Sequence, residues 1–577
     1  MSTVSIPRPE YPRPQFVRDS WMNLNGTWEF AIDHGDTGAE RGMYCENAQY
    51  PLSILVPFCP ESRLSGVENK DFMAAVWYRR TVNLTEAQCA GRVFIRFGAV
   101  DYRCTVYVNG EKADTHVGGY SSFAMEITGL VKPGDNTLVI QAQDNSRSGS
   151  QPVGKQSRLY FSHGCDYTRT TGIWQTVWLE FTPKTYLKSV RINPDDLNRQ
   201  VSFTAEIGGC TRDVTLRAVI AKDGRTVGEA VARPTPGVTA FTAAVSEAEL
   251  WQPGAPVLYD VVFTLERDGA AVDTVQSYFG FRRVEIQGDK FLINDKPVFQ
   301  RTVLDQGFYP DGIYTAPSDE ALKGDIELSM AAGFNGARLH QKVFEERFLY
   351  WADRLGYIVW GEHASWGLDI TGGEGLACFL PEWMEILKRD VNHPAIIGWC
   401  PFNETARSQD KRVLAAVWQA TKDFDPTRPC IDTSGYQHVV TDVFDEHDYD
   451  QNVETFRARY VDLAGAGFNE HNEGYYPYQG QPFFLSEFGG TWWAPGREDG
   501  WGYGNLPKSE EEVIQRIEGL CAALLDNPRI CGYCYTQLTD IEQEQNGIYA
   551  YTRARKFSDE NYRRIYAAQT RKAAYEE

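Results

Sequence analysis

The chain has 577 residues, 42% hydrophobic and 23% charged, which excludes a wholly disordered or collagen-like protein and gives, at about 150 residues per domain, three or four domains. Its formal charge of −21 repels phosphate backbones and anionic membrane surfaces, and no run of five Lys or Arg supplies a local basic patch, so neither nucleic acid nor membrane is expected as a partner. Thirty Phe, 30 Tyr and 15 Trp make 13% of the chain aromatic, flat apolar faces that suit sheet cores and also stacking against sugar rings.

Met1 to Glu10 holds no basic segment followed by an apolar one, so no secretory signal is expected. No apolar stretch reaches the ~20 residues that span a bilayer. Twelve scattered cysteines fit reduced thiols and a cytoplasmic location. Cys531 and Cys534 are three apart on an apolar strand and face opposite sides, with no second Cys-x-x-Cys and no His-x-x-x-His nearby. Neither a metal site nor a redox pair is expected from them.

Residues 1–182 read as all-β. Arg92–Phe97, Thr105–Val108 and Thr137–Gln141 are short alternating runs, and Asn109-Gly110 between two of them is the strongest short hairpin signal. Residues 183–285 repeat the pattern on a smaller scale, with Val201–Ile207, Thr215–Ile220 and Tyr259–Leu265 separated by Asp223-Gly224 and Asp268-Gly269; this spacing predicts an immunoglobulin-like β-sandwich. From 286 to 577 apolar strands alternate with helical stretches. Eight strands are predicted: Val298–Leu304, Gly336–His340, Tyr357–Glu362, Ile396–Phe402, Cys430–Thr433, Val443–His447, Phe483–Phe488 and Ile530–Thr536. Helices over Ser318–Ala332, Glu345–Leu355, Lys411–Asp423 and Glu510–Asp526 fall between many of them. That count and size predict a (β/α)8 TIM barrel rather than a doubly wound sheet.

In such a barrel the chemistry sits at the C-terminal strand ends. Glu404 follows the fourth strand and Glu487 closes the seventh. A charge closing a buried apolar strand is costly unless paired or used. Two carboxylates facing each other across a barrel mouth can cleave a glycoside, one protonating the leaving oxygen and the other attacking the anomeric carbon or activating water. The same placement also fits two salt-bridged rim residues.

A series of motifs, in order along nearly the whole chain, then carries a resemblance: Trp21–Phe30, Trp77–Arg80, Tyr107–Gly110, His116–Phe123, Thr171–Leu179, Leu250–Tyr259 and Phe279–Arg282. On these the chain is identified as a member of glycoside hydrolase family 2, the β-galactosidase and β-glucuronidase family. The resemblance implies a sugar-binding jelly roll over 1–182, an immunoglobulin-like domain over 183–285 and a catalytic barrel over 286–577. It implies Glu404, after Asn403, as acid/base and Glu487 as nucleophile of a retaining mechanism. Asn403 would hydrogen-bond the sugar 2-hydroxyl, Arg338 would keep the nucleophile ionised, and Tyr449 would hydrogen-bond it. Asp166 would reach the sugar from the jelly roll. His340 and His363, at the ends of the second and third strands, are either sugar-hydroxyl partners or core histidines. Trp360, Trp366, Trp492 and Trp493 are candidates for a stacking wall.

Two departures bear on the sugar. Asp305 and Gln306 stand where well-known members carry Arg-His-Glu after the first strand. The Asn-x-Lys that holds a glucuronate carboxylate in β-glucuronidases is missing after the eighth. The expectation is therefore an exo-β-glycosidase acting on β-galactosides, with a β-hexuronide as the alternative (galacturonide ahead of glucuronide) if Arg338, Arg553 or Arg555 supplies a cation. A non-catalytic carbohydrate-binding protein is the alternative of another class. No cofactor is expected, and a homo-oligomer is compatible with the family.

Overall fold

The computed structural model describes residues 6–463, 476–495 and 499–577; the first five residues, part of the stretch read for a leader, lie outside them. The N-terminal region is a sandwich of two antiparallel sheets. Six strands run in the order Leu52–Val56, Gly26–Asp33, Ala75–Leu84, Gly134–Gln143, Arg103–Val108 and Glu111–Val117, and four in the order Trp21–Asn23, Val177–Thr182, Arg92–Phe97 and Phe123–Glu126. Alternate residues of both sheets, including Trp28, Phe30, Val76, Tyr78, Ile95, Phe97 and Leu179, meet in one buried core. Asn109 and Gly110 both take positive φ, 52° and 84°, which matches the twist of the strands they join and explains the residue pair.

A smaller sandwich follows. Tyr186–Asp195, Gln200–Gly208 and Val238–Ala244 pack on Arg225–Ala232, Thr215–Lys222, Tyr259–Arg267 and Ala270–Phe279. Phe203 is the centre of its core, with Phe241 and Phe263 each 5.1 Å away. Asp223-Gly224 and Asp268-Gly269 turn two of its hairpins with positive φ at every position.

The rest of the chain is the barrel. Its strands are β1 (Gln300–Asp305), β2 (Gly336–Leu339), β3 (Ile358–Glu362), β4 (Ile396–Cys400), β5 (Thr433–Ser434), β6 (Phe444–Asp448), β7 (Phe483–Gly489) and β8 (Ile530–Thr536). Seven pair in parallel, in the order β4, β3, β2, β1, β8, β7, β6. β5 pairs with Phe402–Asn403, just past β4. This strand is shorter and later than the predicted Cys430–Thr433, because Cys430 makes only an isolated bridge to Trp399 and the Asp432 carboxylate is taken by Val439, Val440 and His438.

Seven helices cover the described barrel: α1 (Asp319–Ala331), α2 (Glu346–Leu355), α3 (Gly373–Asp390), α4 (Lys411–Phe424), α5 (Val453–Arg459), α6 (Glu510–Leu525) and α7 (Asp559–Thr570). Ser318 caps α1 by accepting from Ala321 N, and α2 ends on Gly356 in the left-handed region. Inside the barrel, Trp360 donates to Gln300 Oε1 at 2.7 Å and stacks on Phe484, so this tryptophan is core and not a sugar platform.

The jelly roll sits over the barrel mouth. Val153 N and Gly154 N both donate to the Trp366 carbonyl past β3, and Tyr120 N and Ser121 N donate to Glu382 of α3. This seat brings the loop carrying Lys155, Asp166 and Tyr167 to the strand ends.

Candidate active site

Three strand ends build the centre. Glu487 lies in β7 at a bulge, where β6 pairs Glu446 with Leu485 and His447 with Glu487 and leaves Ser486 extra. A bulge re-aims neighbouring side chains. Ser486 Oγ donates to Asp445 in the barrel wall, while Glu487 turns to the mouth. Arg338 of β2 donates from Nη1 to Glu487 Oε1 at 2.9 Å, and the Tyr449 hydroxyl donates to Oε2. Burial raises the Glu487 carboxyl, but His447, Arg338 and Lys155 outweigh it and hold it well below the usual carboxylate range. The group is therefore ionised at neutral pH, as a nucleophile must be.

Glu404 follows β4 and Asn403. Its φ of 48° is in the left-handed region, sparsely used by residues other than glycine. Its N–H donates to the Ser434 carbonyl at 2.8 Å, which fixes the turn. Asn403 Oδ1 accepts from Arg338 Nη2, and its buried Nδ2 has no partner among the described residues. An amide donor left open beside the two glutamates suits a sugar hydroxyl.

His447, at the end of β6, joins the two carboxylates. Its Nδ1 is 2.8 Å from Glu404 Oε1, and its Nε2 is 2.9 Å from Ser434 Oγ and 3.5 Å from Glu487 Oε1. Burial pulls the imidazole down, but Glu487 and Glu404 raise it above its ordinary value. Gly435 makes room for this ring, since a Cβ there would lie 2.5 Å from it. The sequence reading passed over His447. Residue parity could have found it, because Asp445, His447 and Tyr449 share one side of β6 and its continuation.

One carboxylate oxygen of Glu404, one of Glu487 and one His447 nitrogen all lie within 4.8 Å of one another. The spacing would fit a cation, but both imidazole nitrogens already have hydrogen-bond partners. The same spacing fits two carboxylates that flank one anomeric carbon.

Arg338 is the hub. Besides Glu487 and Asn403 it donates from Nε to Glu362 Oε2 at 2.7 Å, and Glu362 also accepts from Gln341 N. Burial pushes the Glu362 carboxyl up to about 7 despite these bonds. Arg338→Lys keeps the charge but loses the fork. It is expected to lower kcat/KM about 100-fold, and, because a less well-held Glu487 protonates at higher pH, to move the acid limb of the pH–rate profile upward. Tyr449 is stacked 3.4 Å over Tyr503 and its hydroxyl is also 3.1 Å from Thr536 Oγ1. Tyr449→Phe removes one hydrogen bond to a charged group, about 1.5–3 kcal/mol, and is expected to cost roughly 10–100-fold in kcat by steady-state kinetics.

The other sequence candidates divide. His340 is buried behind Arg338, with Nε2 4.0 Å from Glu487 Oε1; burial, Arg338 and Lys155 hold it neutral. Asp166 lines a cavity of about 270 Å3 with Glu404, Asn403, Trp366 and Arg158. Gln306 bonds Tyr167 and Gln537 beside the mouth. His363 is not brought to the carboxylates: it is fully buried among Phe379, Trp383 and Tyr120, the core reading of the two. Asp305 also turns away, capping Gly307 N and facing Asp325, with burial pushing it up to about 7. Trp492 and Trp493 have buried Nε1 atoms without partners among the described residues. Cys531 and Cys534 are buried free thiols.

A TIM barrel roofed by a β-sandwich, with two glutamates and an arginine at its strand ends, is the arrangement of a glycoside hydrolase. Three family models match in series: the family 2 sugar binding domain over residues 21–183, glycosyl hydrolases family 2 over 185–282, and the family 2 TIM barrel domain over 284–503. The chain belongs to glycosyl hydrolase family 2. It is 25% identical over 452 residues to a β-glucuronidase of Paenibacillus borealis, covering 73% of this chain and 74% of that one. It is 27% identical over 405 residues to a β-galactosidase of Thermoanaerobacter pseudethanolicus, covering 67% of this chain and 52% of that longer one. Among solved structures, a Bifidobacterium dentium β-glucuronidase complexed with coumarin-3-O-glucuronide superposes with a TM-score of 0.82 at 20% identity, over 96% of this chain and 98% of that one. No helix among the described residues is long and apolar enough to cross a membrane.

Proposed function

We propose that the protein is a retaining exo-β-glycosidase that releases one terminal sugar through a covalent glycosyl-enzyme. The observation that carries this reading is the spacing of Glu404 and Glu487, with oxygens within 4.8 Å. Retaining enzymes hold their carboxyl groups about 5–5.5 Å apart, whereas inverting ones need about 6.5–9.5 Å to admit a water. Glu487 attacks the anomeric carbon as an anion oriented by Arg338 and Tyr449. Glu404 protonates the leaving oxygen, then takes a proton from the water that breaks the ester. Asn403 Nδ2 donates to the 2-hydroxyl, a bond that strengthens as the oxocarbenium character grows. A non-catalytic binding protein needs neither an ionised buried carboxylate nor a partner for it on the opposite strand end.

For the sugar, β-galactosides lead. The three arginines weighed for a uronide are otherwise engaged: Arg553 pairs with Asp325, Arg555 with Asp559, and Arg338 with Glu362 and Glu487. The second reading, a β-hexuronide, draws on the β-glucuronidases among the relatives. A panel of nitrophenyl β-galactoside, β-glucoside, β-galacturonide and β-glucuronide tests both. The highest kcat/KM is expected on the galactoside; a uronide at the top moves the function to the second reading, and no release above background defeats the glycosidase reading for these sugars.

A further inference from the structure

The cavity of about 270 Å3 that holds Asp166 touches only one of the two strand-end glutamates. Glu404 and Asn403 line it, and among the described residues Glu487, Arg338, His447 and Tyr449 do not. In the mechanism proposed above the acid/base stands beside the leaving oxygen, and the nucleophile attacks from the opposite face of the terminal ring. Room that meets Glu404 and not Glu487 is therefore room for the group that leaves.

The seating of the jelly roll on the barrel makes this room. Val153 N and Gly154 N donate to the Trp366 carbonyl at 2.8 and 3.1 Å. Gly154 takes φ 63°, and a Cβ on it would lie 2.4 Å from the Gln341 carbonyl oxygen; Gly367 takes φ 84°, and its Cβ would lie 2.6 Å from the Val153 side chain. Only glycine lets the two loops approach so closely, and together they form one wall of the cavity. The segment after Glu404 adds further lining and is tied down by Gln409 N donating to the Ala406 carbonyl and Asp410 N to that of Ile370, each at 3.0 Å.

The lining suits a sugar ring. Trp366 has already given its Nε1 proton to the Asn403 carbonyl, so what it offers the cavity is flat carbon surface. Gln409 Oε1 is buried and has no hydrogen-bond partner among the described residues, an acceptor that gains when a donor arrives. The Asp166 carboxylate meets only the His163 imidazole, 3.6 Å away, and Arg158 stands exposed at the rim. Two open acceptors, a guanidinium donor and an indole face match the hydroxyls and the C–H face of a pyranose. A nitrophenyl group has no proton to donate to either acceptor. The volume falls just under the ~300–1,000 Å3 of pockets that hold drug-sized ligands, which suits a single ring. We infer that this cavity is the leaving-group subsite and takes a second sugar, stacked on Trp366 and held through its hydroxyls by Gln409, Asp166 and Arg158. The substrate is then a β-linked oligosaccharide rather than an aryl glycoside, and Asp166 serves the leaving sugar instead of the terminal one.

The inference rests on the glycosidase reading above, and its test separates the two. For the terminal sugar that the nitrophenyl panel favours, kcat/KM is compared between its β-linked disaccharide on glucose and its nitrophenyl glycoside. The glycosyl-enzyme formed from the nitrophenyl donor is then shared between water and added glucose. A glucose hydroxyl oxygen bonds to the anomeric carbon as the Glu487 ester breaks, and its proton passes to Glu404. The ratio of transfer product to free sugar reads occupation of the cavity whatever fraction of the enzyme is folded. The wild type is expected to transfer to glucose. Asp166→Asn should lower both the disaccharide-to-nitrophenyl ratio and the transfer ratio roughly 10–100-fold, and Gln409→Leu roughly 5–10-fold. Asp166 is half-buried on a loop, so its variant keeps the test if Gln409→Leu does not fold. Equal losses on disaccharide and nitrophenyl glycoside would put Asp166 on the terminal sugar and overturn the proposal. Transfer ratios within about twofold of wild type, or a wild type that transfers nothing to glucose, would overturn it too. No release from any glycoside would refute the glycosidase reading and this inference with it.

Discussion

Glu487→Ala is expected to lower kcat on nitrophenyl β-glycosides by about 10^5, roughly 7 kcal/mol of activation free energy, with little change in KM. The size follows from what is removed. An ionised carboxylate aimed at the anomeric carbon converts one difficult displacement into two easier ones, and no second group at the mouth can take its place. In the proposed mechanism Glu404 works from the other side of the bond, and Glu362 is turned into Arg338 and Gln341. The substitution also leaves Arg338 Nη1 and the Tyr449 hydroxyl without their acceptor, so the protein's fold should be checked by circular dichroism beside the kinetics. A variant that hydrolyses the panel as fast as wild type would place the nucleophile elsewhere.

The second large effect depends on the leaving group. Glu404→Ala removes the proton donor, so an aglycone that needs protonation should slow by about 10^2–10^4, while a dinitrophenyl glycoside, whose leaving group is stable as an anion, should form its glycosyl-enzyme nearly as fast as wild type. Water then attacks without a general base, and the intermediate accumulates. Azide needs no deprotonation, so adding it should restore turnover of the dinitrophenyl substrate and give a glycosyl azide of retained configuration. Equal losses on good and poor leaving groups, with no azide effect, would remove Glu404 from the acid/base role. His447 enters this prediction because its Nδ1 bonds Glu404. Because His447 also helps hold the Glu487 carboxyl low, its removal should move the acid limb of the pH–rate profile upward.

The barrel was largely legible because its strands are buried on both faces and read as uninterrupted apolar runs. β8 runs over Ile530–Thr536, as predicted, and β2, β3 and β7 start or end within a residue of expectation. α3 went unread because Gly372 and Gly373 stand at its start and Pro381 inside it, and local signals of that kind argue against a helix that tertiary packing nonetheless stabilises. The strand-end glutamates were legible as candidates from position, and the family resemblance set them apart from salt-bridged rim residues. His447 was not, although it lies in a predicted strand, because a histidine inside an apolar strand carries no local signal beyond the parity it shares with Tyr449. The bond between Tyr167 and Glu544 could not be found this way at all. The two residues are 377 apart, each on a loop, and only the seating of one domain on another joins them. The arginines near 553–555 show the converse: close to the mouth in sequence order, yet bonded to acids of the outer helices.

The central claim is that Glu404 and Glu487 act on opposite sides of one anomeric carbon by double displacement. Proton NMR of the first sugar released from a β-glycoside, recorded before mutarotation, tests it most directly. The account predicts that the β-anomer appears first and the α-anomer only as the solution equilibrates; release of the α-anomer first would mean a single displacement by water and would contradict it.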